Sequence, residues 1–132
     1  MTCSYFEVQP RCRHAAPVNM KVAGTLCELT AIIVAAAFGV PLSELRATTR
    51  RPPAIAFARQ TAMYLAHVVF GLTLTDVGRA FGRDRTTAAY ACELIENRRD
   101  DPVLDAALEA LEYACGSLAR CLREKTPHRV QA

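Results

Sequence analysis

Three consecutive polar residues, Arg85-Thr86-Thr87, directly follow Asp84, a residue type that often caps the first turn of a helix. An arginine guanidinium can pair with O6 and N7 of guanine, and a threonine methyl group can pack against the methyl group of thymine. The first turn of a helix is also the part that enters the DNA major groove in helix-turn-helix proteins. An ordinary surface turn fits the same spacing, so both interpretations stay open at this point.

The segments around this run have the pattern of a helix-turn-helix. Thr73 is a suitable N-cap for a short helix that extends to Phe81, and Gly82 allows the sharp turn that follows. The apolar positions of the next helix are spaced three and four residues apart: Ala88, Ala91, Cys92 and Ile95. This spacing turns one face of the helix inward and leaves its first turn pointing outward.

The rest of the chain predicts further helices and no strand. One apolar helix covers residues 22–38, a second covers 54–69, and Asp101-Pro102 opens a long helix that extends to about residue 123. Between the first two, residues 43–45 predict one short turn, and the Pro52-Pro53 pair enforces an extended link. The sequence therefore predicts an all-α fold, a small bundle of about five helices that contains the helix-turn-helix.

Length and composition predict a single domain. A chain of 132 residues, with 52% hydrophobic and 22% charged residues, has room for one core. We expect the domain to cover residues 22–123, between an irregular arm (1–21) and a tail (124–132). The first twenty residues contain no apolar segment typical of a signal peptide, and the interruptions in residues 22–40 favour a buried helix over a membrane span. A cytoplasmic protein is the expectation.

Positive charge is concentrated in the middle of the chain. Residues 46–99 contain nine arginines, no lysine and four acidic residues, which gives this window a charge of +5 within a net charge of +3. The nine are Arg46, Arg50, Arg51, Arg59, Arg79, Arg83, Arg85, Arg98 and Arg99. Planar, forked guanidinium groups suit phosphate oxygens and guanine edges better than a point charge does. A solvated arginine-rich surface has the same composition.

The residue types that support catalysis or metal binding are poorly placed. No two of the six cysteines have the two-residue spacing of a zinc or redox motif, so we expect reduced thiols and no metal or other cofactor. Cys3, Cys12 and His14 lack a fourth ligand. The three histidines, His14, His67 and His128, lie in separate parts of the chain with no nucleophile placed beside them. The sequence therefore predicts a protein that is not an enzyme.

The long C-terminal helix carries a narrow apolar seam. Its members are spaced four and three residues apart: Leu104, Leu108, Leu111, Cys115, Leu118 and Leu122. This is the spacing of a coiled coil, which favours a homodimer through the seam. The same stripe is also typical of a last helix that packs back on its own domain. A third interpretation is a module that binds a protein partner through this helix, without binding DNA.

Residues 32–97 resemble the C-terminal DNA-binding domain of the bacterial replication initiator DnaA. Four blocks carry the resemblance: Ala58-Arg59-Gln60-Thr61-Ala62-Met63-Tyr64-Leu65-Ala66, Leu74-Thr75-Asp76-Val77-Gly78-Arg79-Ala80-Phe81-Gly82, Arg83-Asp84-Arg85-Thr86-Thr87 and Ala91-Cys92. The resemblance implies a stand-alone DnaA-like domain that binds double-stranded DNA in a bacterial cytoplasm, at the nucleoid. The chain contains no Gly-x-x-x-x-Gly-Lys-Ser/Thr phosphate loop, so the initiator's ATPase and its nucleotide are not expected.

The family also implies which residues contact DNA. In the family, contacts come from the start of the long helix, from a preceding basic loop, and from both helices of the motif. The matching positions are Arg50, Arg51, Arg59, Gln60, His67, Leu74, Thr75, Arg83, Asp84, Arg85, Thr86 and Thr87. Ungapped counting places the family's minor-groove arginine at Arg51.

Three departures from the family fall on this surface. Arg85 stands where the family has a histidine, His67 stands where it usually has a lysine, and one residue is missing from the turn before Arg83. We therefore expect sequence-specific DNA binding, with a role in regulating transcription or replication, at a site other than the initiator's own box.

Overall fold

The computed structural model describes residues 20–47 and 52–125. Within these ranges the chain is all-α, as predicted, with six helices and no strand. The helices are α1 (Met20–Phe38), α2 (Leu42–Arg46), α3 (Pro53–Phe70), α4 (Leu74–Ala80), α5 (Arg85–Arg98) and α6 (Pro102–Lys125). The predicted short turn is the five-residue helix α2, and α1 begins two residues before its predicted start.

Helix α3 is the centre of the bundle. All five of the other helices pack against it, and its residues 61–66 are buried without interruption. A helix that is apolar all round, rather than along one stripe, is typical of a core position. The helix ends at Gly71, which adopts a left-handed φ of 69° and donates its N–H to the carbonyl of His67 at 3.1 Å. The predicted stop at this glycine is confirmed.

Helix α1 combines the length and hydropathy of a membrane span with a place in the domain core. Six of its residues are buried, and the helix packs on α3 and α4. The buried set is Ala23, Cys27, Thr30, Ala31, Val34 and Ala35. Small residues dominate this set, which lets the neighbouring helices approach closely. These contacts favour the core helix that the sequence predicts.

The seam of α6 is buried within the monomer. Leu108 and Cys115 are fully buried, and Leu104 and Leu111 pack partly buried against the same core. Leu118 is half-buried; the side chain of Leu122 lies outside the described residues. The helix packs on α3 and α1. The burial of Leu108 and Cys115 favours the interpretation in which this helix packs back on its own domain. The homodimer through the seam stays a prediction.

A buried ion-pair cluster fixes the corner between α5 and α6. Arg99, whose side chain is only 6% exposed, donates to Asp105 at 2.6 Å and to Glu112 at 2.7 Å. It also donates to the Tyr64 hydroxyl in α3 at 3.0 Å. One guanidinium thus joins α3 to two positions on α6 that lie about two helical turns apart. The forked geometry of arginine permits these simultaneous bonds.

Candidate nucleic-acid interface

The first helix of the motif is held by its cap and by one buried side chain. The Thr73 hydroxyl accepts the backbone N–H of Asp76 at 3.1 Å, so the predicted N-cap is confirmed. Val77 is fully buried. Helix α4 has only seven residues, so these contacts, more than its own length, determine its position.

The turn between α4 and α5 depends on a close backbone approach at Gly78. A Cβ at this position would lie 2.8 Å from the carbonyl oxygens of both Arg83 and Asp84. The carbonyl of Gly78 also accepts the N–H of Arg83 at 2.7 Å. Gly82 completes the turn with a left-handed φ of 68°, as the sequence analysis expects for a sharp turn. The role of Gly78 was not predicted, although a glycine inside a short helix is a signal of close approach.

The first turn of α5 is fixed on one side and exposed on the other. The Asp84 carboxylate accepts the N–H of Thr87 at 2.9 Å, which confirms the predicted cap. This hydrogen bond holds the pKa of Asp84 below its usual value. The side chains of Arg85 and Thr86 are exposed, and that of Thr87 is half-buried.

The rest of α5 anchors this turn to the bundle. Its buried face is formed by Ala88, Ala91 and Ile95, with Cys92 partly buried beside them, as the periodicity predicts. The helix packs on α3 and α4. The bundle thus carries the exposed turn on a fixed backbone, an arrangement that can dock a helix N-terminus into a groove.

Arg59 lies inside the domain rather than on its surface. It is 6% exposed, and its guanidinium donates to the carbonyls of Leu45 at 2.9 Å, Glu44 at 3.2 Å and Ala47 at 3.3 Å. These carbonyls lie at and just beyond the C-terminal end of α2, where a positive charge is favourable. The prediction that Arg59 contacts DNA through its own side chain is not supported by this burial. Its observed contacts position the segment that enters the basic loop.

Arg83, in the turn before α5, contacts the segment after α2 that Arg59 also contacts. It is half-buried, and its guanidinium donates to the Ala47 carbonyl at 3.3 Å. The turn before α5 and the start of α3 are thus both tied to the residue at which the basic loop begins. Arg50 and Arg51, the predicted contacts in that loop, lie outside the described residues.

The other predicted contact residues differ in exposure. Thr75 is exposed, whereas Gln60, His67 and Leu74 are half-buried. His67 has a structural contact: its Nδ1 lies 2.7 Å from the carbonyl oxygen of Leu72. Because a carbonyl only accepts, this ring nitrogen is the donor. His67 thus stabilises the link between α3 and α4.

Three of the four described cysteines behave as small apolar residues, whereas the fourth, Cys121, is exposed. Burial raises the pKa of Cys27 and Cys92 to about 12, and that of Cys115 to about 11. These thiols are therefore protonated at neutral pH and are poor nucleophiles or ligands. In the described ranges, no group of three or more His, Cys, Asp or Glu residues is placed to hold a metal. Cys3, Cys12, His14 and His128 lie outside the described residues.

Comparison with known proteins agrees with this geometry. A family model for the bacterial dnaA protein helix-turn-helix matches residues 28–95, just over half of the chain. The chromosomal replication initiator protein DnaA of Caulobacter sp. (strain K31) is 50% identical over 64 residues, or 47% of this chain and 13% of that protein.

Two further relatives match at lower identity. The initiator of Thermoanaerobacter sp. (strain X514) is 37% identical over 76 residues, or 57% of this chain and 17% of that protein. Chromosomal replication initiator protein DnaA 2 of Chlamydia muridarum is 38% identical over 71 residues, or 54% of this chain and 15% of that protein.

The chain thus spans less than a fifth of the length of these relatives. The residues that the family model matches contain α4 and most of α5. The helix-turn-helix that the family model describes is a DNA-binding motif. This protein therefore belongs to the bacterial DnaA helix-turn-helix family.

Proposed function

We propose that the protein binds duplex DNA sequence-specifically, with the first turn of α5 in the major groove. The observation that carries the proposal is the contrast within this turn. Arg85 and Thr86 are exposed, while the backbone beside them is fixed by the Asp84 cap and the close approach at Gly78. Pre-positioned side chains lose less conformational entropy on binding than mobile ones.

The basic loop provides the second part of the proposed interface. Arg51 is proposed to enter the minor groove beside the recognition helix, with Arg50 near the phosphates. Arg59 and Arg83 support this arrangement because both donate to the Ala47 carbonyl, directly before the loop. Gln60, Thr75 and the half-buried Leu74 and Thr87 remain proposed contacts at the edges of this surface.

The proposed role is regulation of transcription or replication from sites on the bacterial chromosome. We propose that the preferred site differs from the initiator's box. Arg85 presents two parallel donors to guanine where the family has a histidine, and the shortened turn changes how α5 enters the groove. A DNA-binding domain of this kind can occupy sites, compete for them, bend them or recruit others.

Selection from random duplexes, followed by titration of the selected site, tests the proposal. Affinity for DNA is expected to fall linearly with salt on a double-logarithmic scale, because arginines displace counterions. Arg85→Ala should weaken binding by about 1–3 kcal/mol and relax one base position. Arg120→Ala, at an exposed arginine of α6, is the matched control and should bind as the wild type does.

Three outcomes would each contradict a part of the proposal. Failure to bind any duplex at about 50 mM salt, a concentration at which counterion release favours binding strongly, would refute DNA binding. An Arg85→Ala variant that loses affinity equally for all sequences would make Arg85 a backbone contact and not a base-reading residue. Recovery of the initiator's box as the preferred site would refute the proposed change in specificity.

One observation favours a second candidate function. Helix α6 exposes two large apolar side chains, Val103 at 79% and Tyr113 at 75%. Exposed apolar side chains are typical of surfaces that bind proteins, although single ones are common. A protein-binding module based on α6 would show little dependence of its affinity on salt, and Arg85→Ala would not change that affinity.

A further inference from the structure

Helix α5 carries a large exposed side chain one turn beyond the proposed base-reading residues. Tyr90 is 59% exposed and lies four residues after Thr86. Residues four apart occupy the same helix face, one above the other. Ala88, Ala91 and Ile95 form the buried face of this helix, so Thr86 and Tyr90 both lie on the opposite, outward face.

The size of Tyr90 matches its place along the helix. A recognition helix enters the major groove with its N-terminal turn first, and each further turn lies about 5.4 Å along the helix axis. A short threonine reaches base edges from the first turn, whereas a longer side chain is needed from the second. Tyr90 is the exposed side chain of that length on the second turn.

The residue one turn further along this face marks the end of the surface suited to DNA. Glu93 is exposed, and its negative charge is repelled by the phosphates on either side of the groove. The outward face thus changes from threonine and tyrosine to a carboxylate after two turns. The chemistry of Tyr90 is that of a ring with an apolar body, which can pack against the methyl group of thymine.

From this placement we infer that Tyr90 is a specificity-determining residue that reads the methyl group of a thymine next to the bases contacted by the first turn. The inference rests on the proposed DNA binding by α5. It adds a second reading position to the helix and predicts a thymine at a fixed distance from the guanine read by Arg85.

Single replacement of each thymine in the selected site by deoxyuridine tests the inference, because the exchange removes only the methyl group. One such replacement should weaken binding by the wild type about fivefold to tenfold. The same replacement should have no effect on Tyr90→Ala, which should itself bind the unmodified site about tenfold more weakly. Tyr90→Phe keeps the ring and should bind as the wild type does.

Tyr113→Ala is the matched control, since Tyr113 is a similarly exposed tyrosine on α6, and it should leave affinity unchanged. The inference is overturned if the selected site contains no thymine, if no deoxyuridine replacement distinguishes the wild type from Tyr90→Ala, or if Tyr90→Phe loses as much affinity as Tyr90→Ala. These outcomes leave DNA binding intact, whereas failure of the wild type to bind any duplex refutes the proposed function itself.

Discussion

The two ends of helix α5 use arginine in opposite ways. At the N-terminal end, Arg85 is exposed beside a capped turn. At the C-terminal end, Arg99 is 6% exposed and binds Asp105, Glu112 and the Tyr64 hydroxyl. The same residue type is thus available for a ligand at one end and used for folding at the other. The local environment of an arginine, and not its place in a basic stretch of sequence, determines whether it can bind a ligand or stabilises the fold.

This contrast changes the interpretation of the charge on residues 46–99. Arg59 is buried against backbone carbonyls, and Arg46 pairs with Glu28, which lies outside the window. The counter-charges of Arg99 lie beyond the window, at positions 105 and 112. The excess of +5 therefore overestimates the positive charge that the described surface presents to DNA.

The largest expected effect is the loss of stability in Arg99→Ala. Removal of one partner from a buried ion pair leaves uncompensated carboxylates and typically costs about 3–5 kcal/mol. Urea unfolding should show a decrease of this size in the free energy of unfolding. DNA affinity per folded molecule should be unchanged, because the cluster lies at the end of α5 away from the proposed interface.

Arg85→Ala tests the other end of α5, where the arginine is exposed. It should retain the stability of the wild type and lose DNA affinity. If Arg99→Ala is as stable as the wild type, the cluster does not fix α6. If Arg85→Ala unfolds at a lower urea concentration than the wild type, the two ends of α5 do not differ as described.

Arg59→Ala is expected to have a smaller effect on stability and an indirect effect on binding. The loss of hydrogen bonds from a charged donor should lower the free energy of unfolding by about 2 kcal/mol. Because Arg59 positions the segment at which the basic loop begins, its effect on DNA affinity should overlap with that of Arg51→Ala. The loss of affinity in the double variant should therefore be less than the sum of the two single losses.

Additive losses would contradict this role of Arg59. They would show that Arg59 and Arg51 act on DNA independently, as the resemblance to the family initially implies. Arg59→Lys refines the test, because a lysine keeps the charge but not the forked donors. We expect it to recover only part of the lost stability.

Gly78→Ala should disturb the recognition turn. The added Cβ would meet two backbone carbonyls at 2.8 Å, and overpacking of this kind costs about 1–3 kcal/mol. DNA affinity should fall as well, because the turn that presents Arg85 must shift. The matched control is Gly116→Ala in α6, where no atom of a neighbouring described residue lies within 4 Å of the new Cβ. There, the better helix propensity of alanine should raise stability by about 0.5–1 kcal/mol. Equal changes in stability in the two variants would contradict the close approach of the Arg83 and Asp84 carbonyls to Gly78.

Local signals predicted the helices and their ends well. The caps at Thr73 and Asp84 and the stop at Gly71 depend on residues within a few positions of one another, so the sequence alone is sufficient. The resemblance to the family added the identity of the motif. The exposed first turn of α5 followed from the same short-range periodicity.

Contacts between distant parts of the chain were not predictable in this way. Arg59 is buried because α2, twelve to fifteen residues earlier, directs its last carbonyls at it. The spacing of the α6 seam is identical for a coiled coil and for packing on the domain, and it is the position of α3 and α1 that favours packing on the domain. Tertiary packing thus determined which predicted surface residues remain at the surface.

The smallest expected effect concerns the cap at the exposed end of α5. Asp84 accepts the N–H of Thr87, and its pKa lies below the usual value of 3.8. A carboxyl group whose pKa is lowered by folding stabilises the fold above its unfolded pKa and loses that contribution as the pH falls through its folded pKa.

The variant Asp84→Asn tests this contribution, because it keeps a side-chain oxygen acceptor and removes the charge. The wild type should therefore melt at a higher temperature than this variant near pH 6, and the difference should shrink as the pH falls below the unfolded pKa of about 3.9. A difference in melting temperature that stays constant from pH 6 to about pH 2.5 would show that the charge of Asp84 contributes nothing, and that the cap acts through its neutral hydrogen bond alone.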